Sequence, residues 1–377
     1  MRFSKRQGKD KEFDRFHIVM LNIIENRIKK NQFVLIAEIG VNYYDIAKKF
    51  QISPMEAAKK MIETAASAGA HAVKFQSYKA ATLASEDSPY YWDISEEPTE
   101  SQYKLFQKFD SFGKNEYSEL SDYAQHIGIE FLSTPFDIES ADYLEPLMNV
   151  YKISSSDLNN LPFIEYQAKK NKPIILSTGA SEEDEICRSV ELLRKYNNQL
   201  LILMHCVLEY PTPYEHANLS KIVSLKEKFP DLVIGYSDHT KPDKGYEILK
   251  TAYCLGAKVI EKHFSLDKSL KGNDHYHAMD ENDVIEILRE VNQLDMILGD
   301  GKLCCMEDEK KARLNARRSL VAQTDIQAGT VLTGEMITFK RPGTGISVSR
   351  MEEIVGKKAA VDIRKDMILK EEMICLV

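Results

Sequence analysis

The sequence lacks any long hydrophobic run, although 43% of its 377 residues are hydrophobic. A membrane-spanning helix needs about 20 consecutive apolar residues, and no stretch approaches that length. The opening residues, MRFSKRQGKDKEFDRF, also lack the hydrophobic centre of a secretion signal. We therefore expect a cytoplasmic protein that is not embedded in a membrane.

Cysteine is scarce and its spacing points to no metal or disulfide framework. The six cysteines contain no C-x-x-C pair, which argues against a zinc knuckle. In a chain expected to be cytoplasmic, disulfides are also rare. We expect free thiols.

An excess of basic residues is absent as well. The chain has 50 Lys and Arg against 58 Asp and Glu, a formal net charge of −8. Proteins that bind nucleic acid usually concentrate positive charge on one surface. Nucleic acid is therefore not an expected partner.

From residue 33 onward, short apolar runs alternate with amphipathic segments, as in parallel strands joined by crossover helices. Eight such runs begin as FVLIAEIG at 33, HAVKFQSY at 71, IEFLSTPF at 129, VYKISSS at 150, PIILSTG at 173, LLILMHCVL at 200, LVIGYSDHT at 232 and KVIEKHF at 258. Eight strand and helix units favour an α/β fold of the (β/α)₈ TIM-barrel type over an open doubly wound sheet. No G-x-G-x-x-G follows the first run, which disfavours a nicotinamide dehydrogenase.

The sequence predicts four segments. Residues 1–30 form an N-terminal extension, 31–300 the barrel, 301–316 a charged linker and 317–377 a small β-rich module. A module of that size lies near the lower limit for folding alone, so we expect it to pack against another surface. Within the barrel, the polar stretch 84–114 is too long for an ordinary connection and predicts a loop or lid over one end.

Polar and ionisable residues gather where the predicted strands end. The carboxyl ends of barrel strands meet at one mouth, where barrel enzymes build their active sites. Because side chains alternate along a strand, only some of these residues point inward, and others cap the following helix. The candidates are Glu38, Lys74, Gln76, Ser133, Thr134, Lys152, Ser154, Ser155, Asp157, Ser177, Thr178, His205, Glu209, Tyr210, Ser237, Asp238, His239, Glu261, Lys262 and His263.

Two lysines among these residues, Lys74 and Lys152, predict an anion site. Ammonium groups and short hydroxyl donors can satisfy the oxygens of phosphate and carboxylate groups. We expect a small, doubly anionic ligand. The alternative is that both lysines extend from the rim into solvent.

Two histidines, His239 and His263, end neighbouring strands and predict a divalent metal site. Two imidazoles leave coordination positions for water or substrate, which suits Mn²⁺ or another exchangeable ion. The alternative is that each is a hydrogen-bonded core residue. His205 lies deeper in its strand, and we expect it to be such a core residue.

With these motifs the sequence resembles the sialic acid synthase family, the phosphoenolpyruvate-dependent nonulosonate synthases. The motifs run in order from AEIGVN through VKFQ, STPF, YKISSSDLNN, PIILSTG, YPTPYE, GYSDHT and EKHF to KRPGTGIS. The resemblance implies a barrel followed by an SAF, or antifreeze-like, domain. It also implies condensation of phosphoenolpyruvate with an open-chain N-acetylmannosamine-type sugar, giving a nine-carbon 2-keto acid and phosphate.

The resemblance implies roles for individual residues. The metal ligands fall on His239 and His263, with Mn²⁺ as the expected ion and Mg²⁺ or Co²⁺ as alternatives. Arg341 of the SAF module is expected to reach the barrel of the other subunit in a domain-swapped homodimer. The catalytic positions are Glu38, Asp157, Lys74 and Lys152; contacts to phosphoenolpyruvate fall on Lys74, Thr134, Lys152, Ser155, Ser177 and Ser237; contacts to the sugar fall on Gln76, Tyr210, Asp274 and Arg341.

The sequence departs from the family pattern in two places. Leu208 stands where the family commonly has an asparagine that contacts phosphate. The stretch GNDHYHAMD adds His275 and His277 beside Asp274, either to tune the sugar pocket or as solvated loop residues. The acceptor also stays open: it is an N-acetylmannosamine-type sugar or a diacetamido-trideoxy hexose, and a non-catalytic sugar-binding relative is a further alternative.

Overall fold

The computed structural model describes residues 21–272 and 274–375, so residues 1–20 of the predicted N-terminal extension lie outside the described part. The chain divides into two compact units, with the boundary between Leu298 and Gly299. Among the described residues, no helix combines the length and apolar character needed to cross a membrane.

The first unit is built on one eight-stranded parallel sheet. Its hydrogen-bonded order is β3-β2-β1-β8-β7-β6-β5-β4. The outermost strands of this order, β3 and β4, lie side by side, so the sheet forms a nearly closed barrel. The predicted (β/α)₈ fold is confirmed. The strands are β1 Val34–Gly40, β2 Ala72–Ser77, β3 Glu130–Pro135, β4 Tyr151–Ile153, β5 Ile174–Ser177, β6 Leu201–Cys206, β7 Val233–Asp238 and β8 Val259–His263.

Helices connect the strands, and their ends follow local sequence signals. Before Pro54, the Ser53 hydroxyl accepts a hydrogen bond from the Glu56 amide (3.2 Å), and the Glu56 carboxylate accepts one from the Ser53 amide (2.9 Å). This reciprocal cap fixes the start of α3. The helices are α1 Ile23–Lys29, α2 Tyr43–Phe50, α3 Pro54–Ser67, α4 Ala80–Leu83, α5 Gln102–Gln107, α6 Lys114–Ile127, α7 Ile138–Leu144, α8 Leu161–Ala168, α9 Glu183–Tyr196, α10 Ser220–Lys228, α11 Glu247–Cys254, α12 Glu281–Leu298, α13 Lys310–Ala316 and α14 Met351–Ile354.

The barrel strands are buried on both faces, as parallel strands between helices must be. One set of side chains packs against the helices, and the alternate set fills the barrel interior. The interior cluster consists of Ile24, Val34, Ile36, Ala72, Leu132, Val150, Ile175, Ile202, Met204 and Val259. These residues come from six of the eight strands and from α1, together with Val150, which directly precedes β4.

The second unit contains an antiparallel pair, β9 Ser319–Ala322 and β10 Ile337–Lys340. Isolated bridges join further short segments, such as Val331 with Lys358, so the unit is rich in extended structure. It has a hydrophobic core of its own. That core consists of Leu320, Ala322, Ile326, Leu332, Ile337, Ile346, Ile354, Ala359, Ile363, Leu369 and Ile374.

Candidate active site

The functional side chains lie at the strand ends because they continue the inward-facing set of the barrel. Val34 and Ile36 belong to the interior cluster, and the next residue of that set in β1 is Glu38. In β8 the set runs from Val259 through Glu261 to His263. Side chains two positions apart share a face of a strand, so the inward-facing residues change from apolar in the barrel interior to polar at the carboxyl end of each strand. We call this polar end of the barrel the polar mouth.

Strand register then sets which of these residues are neighbours. Glu38 pairs with Lys74 of β2 on one side and with His263 of β8 on the other. Ser237 of β7 pairs with Glu261. The polar mouth is thus fixed by backbone pairing rather than by flexible loops.

These residues line one cavity at the barrel mouth. Thirteen of the predicted site residues, all but Arg341, belong to the barrel unit, and eleven of them line the cavity; Asp157 and Asp274 do not. Its lining is Glu38, Lys74, Gln76, Thr134, Phe136, Lys152, Ser154, Ser155, Ser177, Cys206, Tyr210, Ser237, His239, Glu261 and His263.

Both lysines are buried and paired with carboxylates. The Lys74 ammonium lies 2.6 Å from Glu38 Oε2 and 3.7 Å from Glu261 Oε1. The Lys152 ammonium lies 3.0 Å from Glu261 Oε1 and 3.1 Å from Oε2. Lys74 is 3% exposed and Lys152 is 4% exposed, so the alternative in which they extend into solvent is wrong.

The two glutamates of this network differ in acidity. Burial raises the pKa of Glu38 to about 7, against the opposing charge of Lys74. Burial also acts on Glu261, but the charges of Lys152 and Lys74 outweigh it and lower the pKa of Glu261 to about 2. At neutral pH, Glu261 is therefore a fixed anion between two cations, and Glu38 exchanges a proton readily.

Hydroxyl groups complete the polar mouth. Lys74 donates to Thr134 Oγ1 at 3.0 Å, and Ser237 donates to a Glu261 oxygen at 3.3 Å. Ser155 Oγ lies 3.2 Å from Cys206 Sγ. Ser177 Oγ is buried and has no hydrogen-bond partner among the described residues, so its donor is free to meet a ligand.

Gln76 holds the carboxylate of Glu38 in place. Its amide nitrogen donates to Glu38 Oε1 at 2.9 Å. Gly40, at the end of β1, has a φ of 55°, and a Cβ there would lie 3.3 Å from both atoms of this hydrogen bond. Glycine at this position therefore leaves room for the contact.

The two predicted metal-binding imidazoles face each other at the mouth. The ring centroids of His239 and His263 are 5.7 Å apart. His239 Nδ1 lies 2.6 Å from the carbonyl oxygen of Val207, so that nitrogen carries the proton and Nε2 has a free lone pair. Burial lowers the pKa of His239 to about 4, so at neutral pH the ring is in the uncharged form that binds metals.

Asp274 lies next to these imidazoles on the segment after β8. Its Oδ2 is 3.7 Å from His263 Nδ1, and its Oδ1 is 3.8 Å from His277 Nε2. One donor atom from each of these three residues falls within 4.8 Å of the others. Burial and the charge of Glu38 raise the pKa of Asp274 to about 7.

The solvated-loop interpretation of the two added histidines is wrong, because His275 and His277 are both 0% exposed. His275 has a structural explanation: its Nδ1 lies 2.7 Å from Ser265 Oγ. His205 does too, since its Nε2 lies 2.8 Å from the Ala217 carbonyl and its ring stacks on Tyr236. This confirms the core role expected for His205.

Two predicted site residues lie elsewhere. Asp157 belongs to a short 3₁₀ turn after β4 and is not part of the cavity lining. Its carboxylate accepts a hydrogen bond from the side chain of Asn160, which directly precedes α8 (3.1 Å). Its placement does not support a proton-transfer role. Arg341 is exposed on the second unit.

Leu208 packs near Gly179, since a Cβ built on Gly179 would lie 3.1 Å from Leu208 Cγ. The apolar side chain of Leu208 offers the cavity no polar contact.

The sequence interpretation gave Glu261 no role, although it is the centre of the charge network. Its signal was present, because Glu261 and His263 are two residues apart on one strand and must share a face. Cys206 was also missed. It ends β6 two residues after the interior residue Met204.

The fold and this cavity define a barrel protein that has a buried network of lysines and glutamates beside a cluster of neutral imidazoles. This combination is suited to catalysis on an anionic substrate. Residues 61–303 match the model of the NeuB family, and residues 317–374 match the SAF domain. The chain belongs to the NeuB family of sialic acid synthases, which confirms the resemblance seen in the motifs.

Relatives with assigned names span several nonulosonic acids. The chain is 39% identical over 344 residues to an N,N'-diacetyllegionaminic acid synthase of Campylobacter jejuni, covering 90% of this chain and 99% of the relative. It is 33% identical to the N-acetylneuraminate-9-phosphate synthase of Mus musculus, over 92% and 93% of the two chains. The structure of an N-acetylneuraminic acid synthetase from Leptospira borgpetersenii aligns with a TM-score of 0.65 and 32% identity, over 74% of this chain and 90% of that one.

Proposed function

We propose that the protein condenses phosphoenolpyruvate with an open-chain N-acetylmannosamine-type sugar, forming a nine-carbon 2-keto acid and inorganic phosphate. This makes it a transferase of the phosphoenolpyruvate-condensing type. The observation that carries the proposal is the convergence of Lys74 and Lys152 on Glu261 inside a cavity that two neutral imidazoles also line. Membership of the NeuB family supports it.

Phosphoenolpyruvate binds at the lysine side of the cavity. Its phosphate and carboxylate meet the ammonium groups of Lys74 and Lys152 and short donors, among them the free hydroxyl of Ser177. Thr134, Ser155 and Ser237 are the further hydroxyls of this subsite. Holding both anionic groups fixes the direction of the enol carbon, so two dilute reactants become one oriented pair.

A divalent metal ion fits the imidazole side. His239 and His263 are buried, and burial lowers the pKa of both rings, so each is uncharged at neutral pH and has a nitrogen lone pair that can bind a metal ion. We propose Mn²⁺, with Mg²⁺ or Co²⁺ as alternatives. When bound, such an ion acts as a Lewis acid that polarises the acceptor aldehyde.

C3 of phosphoenolpyruvate bonds to the aldehyde carbon of the sugar as the C2–C3 and aldehyde double bonds open, which leaves a cationic C2 and an alkoxide. Water then adds at C2, and the bond between C2 and the phosphate oxygen breaks as the new hydroxyl becomes the ketone. Of the two protons of that water, one ends on the alkoxide and the other on the released phosphate. Glu38 accepts a proton of that water, because its pKa of about 7 lets it gain and lose a proton at neutral pH. Gln76 keeps its carboxylate aimed into the cavity.

The sugar occupies the outer part of the site. Gln76, Tyr210 and Asp274 are its proposed contacts in the barrel. Tyr91, on the long stretch 84–114, is 62% exposed, and partial desolvation together with the charge of Asp274 raises the pKa of its hydroxyl. This supports the proposal that the stretch helps select the acceptor.

We also propose a domain-swapped homodimer in which Arg341 of each SAF module contacts the sugar in the partner's barrel. Arg341 is exposed and directly precedes the PGTGIS stretch of the family motif.

We also propose a cytoplasmic location, because phosphoenolpyruvate is an intracellular metabolite.

A second candidate function is condensation with a 2,4-diacetamido-trideoxy hexose. The 39% identity to a diacetyllegionaminic acid synthase favours it. The chemistry at the aldehyde is the same for both acceptors, so the lysine and imidazole groups serve either reaction.

Phosphate release tests the proposal. Purified protein is incubated with phosphoenolpyruvate, Mn²⁺ and each acceptor in turn, and inorganic phosphate is measured. Release should require all three components. Release without any acceptor would mean simple hydrolysis, and its absence with every acceptor would contradict the proposed reaction.

A further inference from the structure

His277 is a buried imidazole without a hydrogen-bond partner. Its side chain is 0% exposed, and neither ring nitrogen has a partner within residues 21–272 and 274–375. Buried polar atoms in folded proteins are almost always satisfied. His275, two residues earlier and equally buried, has one ring nitrogen in a hydrogen bond with Ser265, whereas His277 has none. An imidazole with both nitrogens unpartnered indicates that His277 is placed to meet a ligand.

The surroundings of His277 identify that ligand as a metal ion. Its ring centroid lies 4.9 Å from that of His263 and 6.3 Å from that of His239. A nitrogen bound at about 2.1 Å puts its ring centre just over 3 Å from the ion, so rings that share an ion lie within about 6.5 Å of each other. The three histidines meet this condition pairwise, since His239 and His263 are 5.7 Å apart.

Asp274 offers a carboxylate oxygen at the same place. One donor atom from each of His263, Asp274 and His277 lies within 4.8 Å of the others. His263 Nδ1 is also buried and without a partner in the described part of the chain. Free imidazole nitrogens that converge beside a carboxylate are the usual donors for first-row transition metals.

We propose that His277 is a third imidazole ligand of the metal ion bound by His239 and His263. This inference rests on the proposed function for the location of the ion, and it adds a ligand and a metal preference. A third nitrogen donor raises the affinity for Co²⁺ more than for Mn²⁺, so Co²⁺ binds the isolated site more tightly than the Mn²⁺ proposed as its resident ion. The site holds its ion more tightly than a two-histidine site.

Metal titrations of the purified protein test the proposal without any substrate. Calorimetry with Co²⁺ and with Mn²⁺ is run on the wild type, His277→Gln and His277→Ala, after treatment with a chelator. The control is His126→Ala, which removes an exposed histidine of α6. We expect both His277 variants to bind Co²⁺ at least tenfold more weakly, with a smaller loss for Mn²⁺, and the control to match the wild type.

The visible spectrum of bound Co²⁺ separates a ligand from a packing residue. Loss of a nitrogen donor should change the band positions and intensities in His277→Ala. Added imidazole, which can enter the vacated space, should restore them. A spectrum and affinity equal to those of the wild type in both variants would overturn the proposal.

A third measurement does not depend on any variant. Anomalous diffraction from crystals of the wild-type protein grown with Co²⁺ locates the ion, and a His277 nitrogen should lie within about 2.3 Å of it. A separation above about 3 Å would overturn the proposal even if both variants failed to fold. If His277 does not bind the ion, phosphate release in the condensation assay is unaffected. The two proposals can therefore fail independently of each other.

Discussion

The Lys152 ammonium lies 3.0 Å and 3.1 Å from the two carboxylate oxygens of Glu261. The same carboxylate lies 3.7 Å from Lys74, so one anion compensates two buried cations. Removing one member of a buried ion pair leaves an uncompensated charge, which costs more than the pair itself contributes. The network therefore holds the proposed phosphoenolpyruvate subsite ready, and an anionic ligand can take over part of the compensation.

Glu261→Gln should destabilise the ligand-free protein by about 3 to 5 kcal/mol. Phosphoenolpyruvate should then stabilise the variant more than the wild type, because its anionic groups restore the lost charge. Urea unfolding with and without phosphoenolpyruvate measures both effects. The matched control is Glu119→Gln, whose carboxylate pairs with Lys59 at the surface and should contribute no more than about 1 kcal/mol. Equal behaviour of the two variants would contradict the role given to Glu261.

Glu38→Gln should lower kcat by about 10² to 10⁴ while phosphoenolpyruvate binding changes little. In the wild type, kcat/KM should rise with pH up to about 7, because Glu38 must be ionised to accept a proton and its pKa is about 7. The variant should lose this rise. Full activity in the variant, or an unchanged pH profile, would remove Glu38 as the base.

Ser177→Ala should weaken phosphoenolpyruvate binding without loss of stability. The Ser177 hydroxyl is buried without a partner in the described residues, so its removal costs the folded protein no hydrogen bond. A hydrogen bond to a charged ligand contributes about 1.5 to 3 kcal/mol, which corresponds to a loss of roughly 10- to 150-fold in affinity. The control is Ser189→Ala, which breaks the buried hydrogen bond to the Leu158 carbonyl and should reduce stability alone.

Mixing two inactive variants tests the swapped dimer. Arg341→Ala and Glu38→Gln should each impair sugar condensation, while the barrel stays folded. In hybrid dimers, the barrel with intact Glu38 receives Arg341 from the partner, so denaturing and refolding an equal mixture should recover about a quarter of wild-type activity. No recovery would place both residues in one subunit's own site. Unchanged kinetics of Arg341→Ala would remove Arg341 from the site.

Glu130 should make stability fall as pH rises from about 4.5 to 7. Burial raises its pKa to about 7 despite a hydrogen bond from the Ile24 amide, so the folded state keeps a proton that the unfolded state has lost. The effect amounts to about 3 kcal/mol at most. Subtracting the urea-unfolding curves of Glu130→Gln from those of the wild type at each pH isolates it from the histidines. A pH-independent difference would contradict the shifted pKa.

Much of the fold was predictable because it depends on local patterns. All eight strands lie where apolar runs predicted them. A parallel strand buried on both faces has a short, continuous run of apolar residues in its sequence. The start of α3 is also set locally, because Ser53, Pro54 and Glu56 lie within four residues and form its cap. Alternation along a strand also brought Glu38, Lys74 and Lys152 to one mouth.

Other features depend on packing between segments that are distant in the sequence. The contact of Lys152 with Glu261 joins residues 109 positions apart, and no periodicity encodes it. The burial of His277 depends on how the segment after β8 folds over the mouth, and its composition alone suggested an exposed loop. Asp157 lies outside the lining because the chain turns into a 3₁₀ helix directly after β4.

The most direct test of the central claim is the mass of the product formed from phosphoenolpyruvate and each candidate acceptor. With N-acetylmannosamine, its 6-phosphate and a 2,4-diacetamido-trideoxy mannose-type sugar offered separately, at least one reaction should yield the acceptor plus the three carbons of pyruvate, and Glu38→Gln should yield none. A protein that binds phosphoenolpyruvate but adds these carbons to no acceptor would contradict the account.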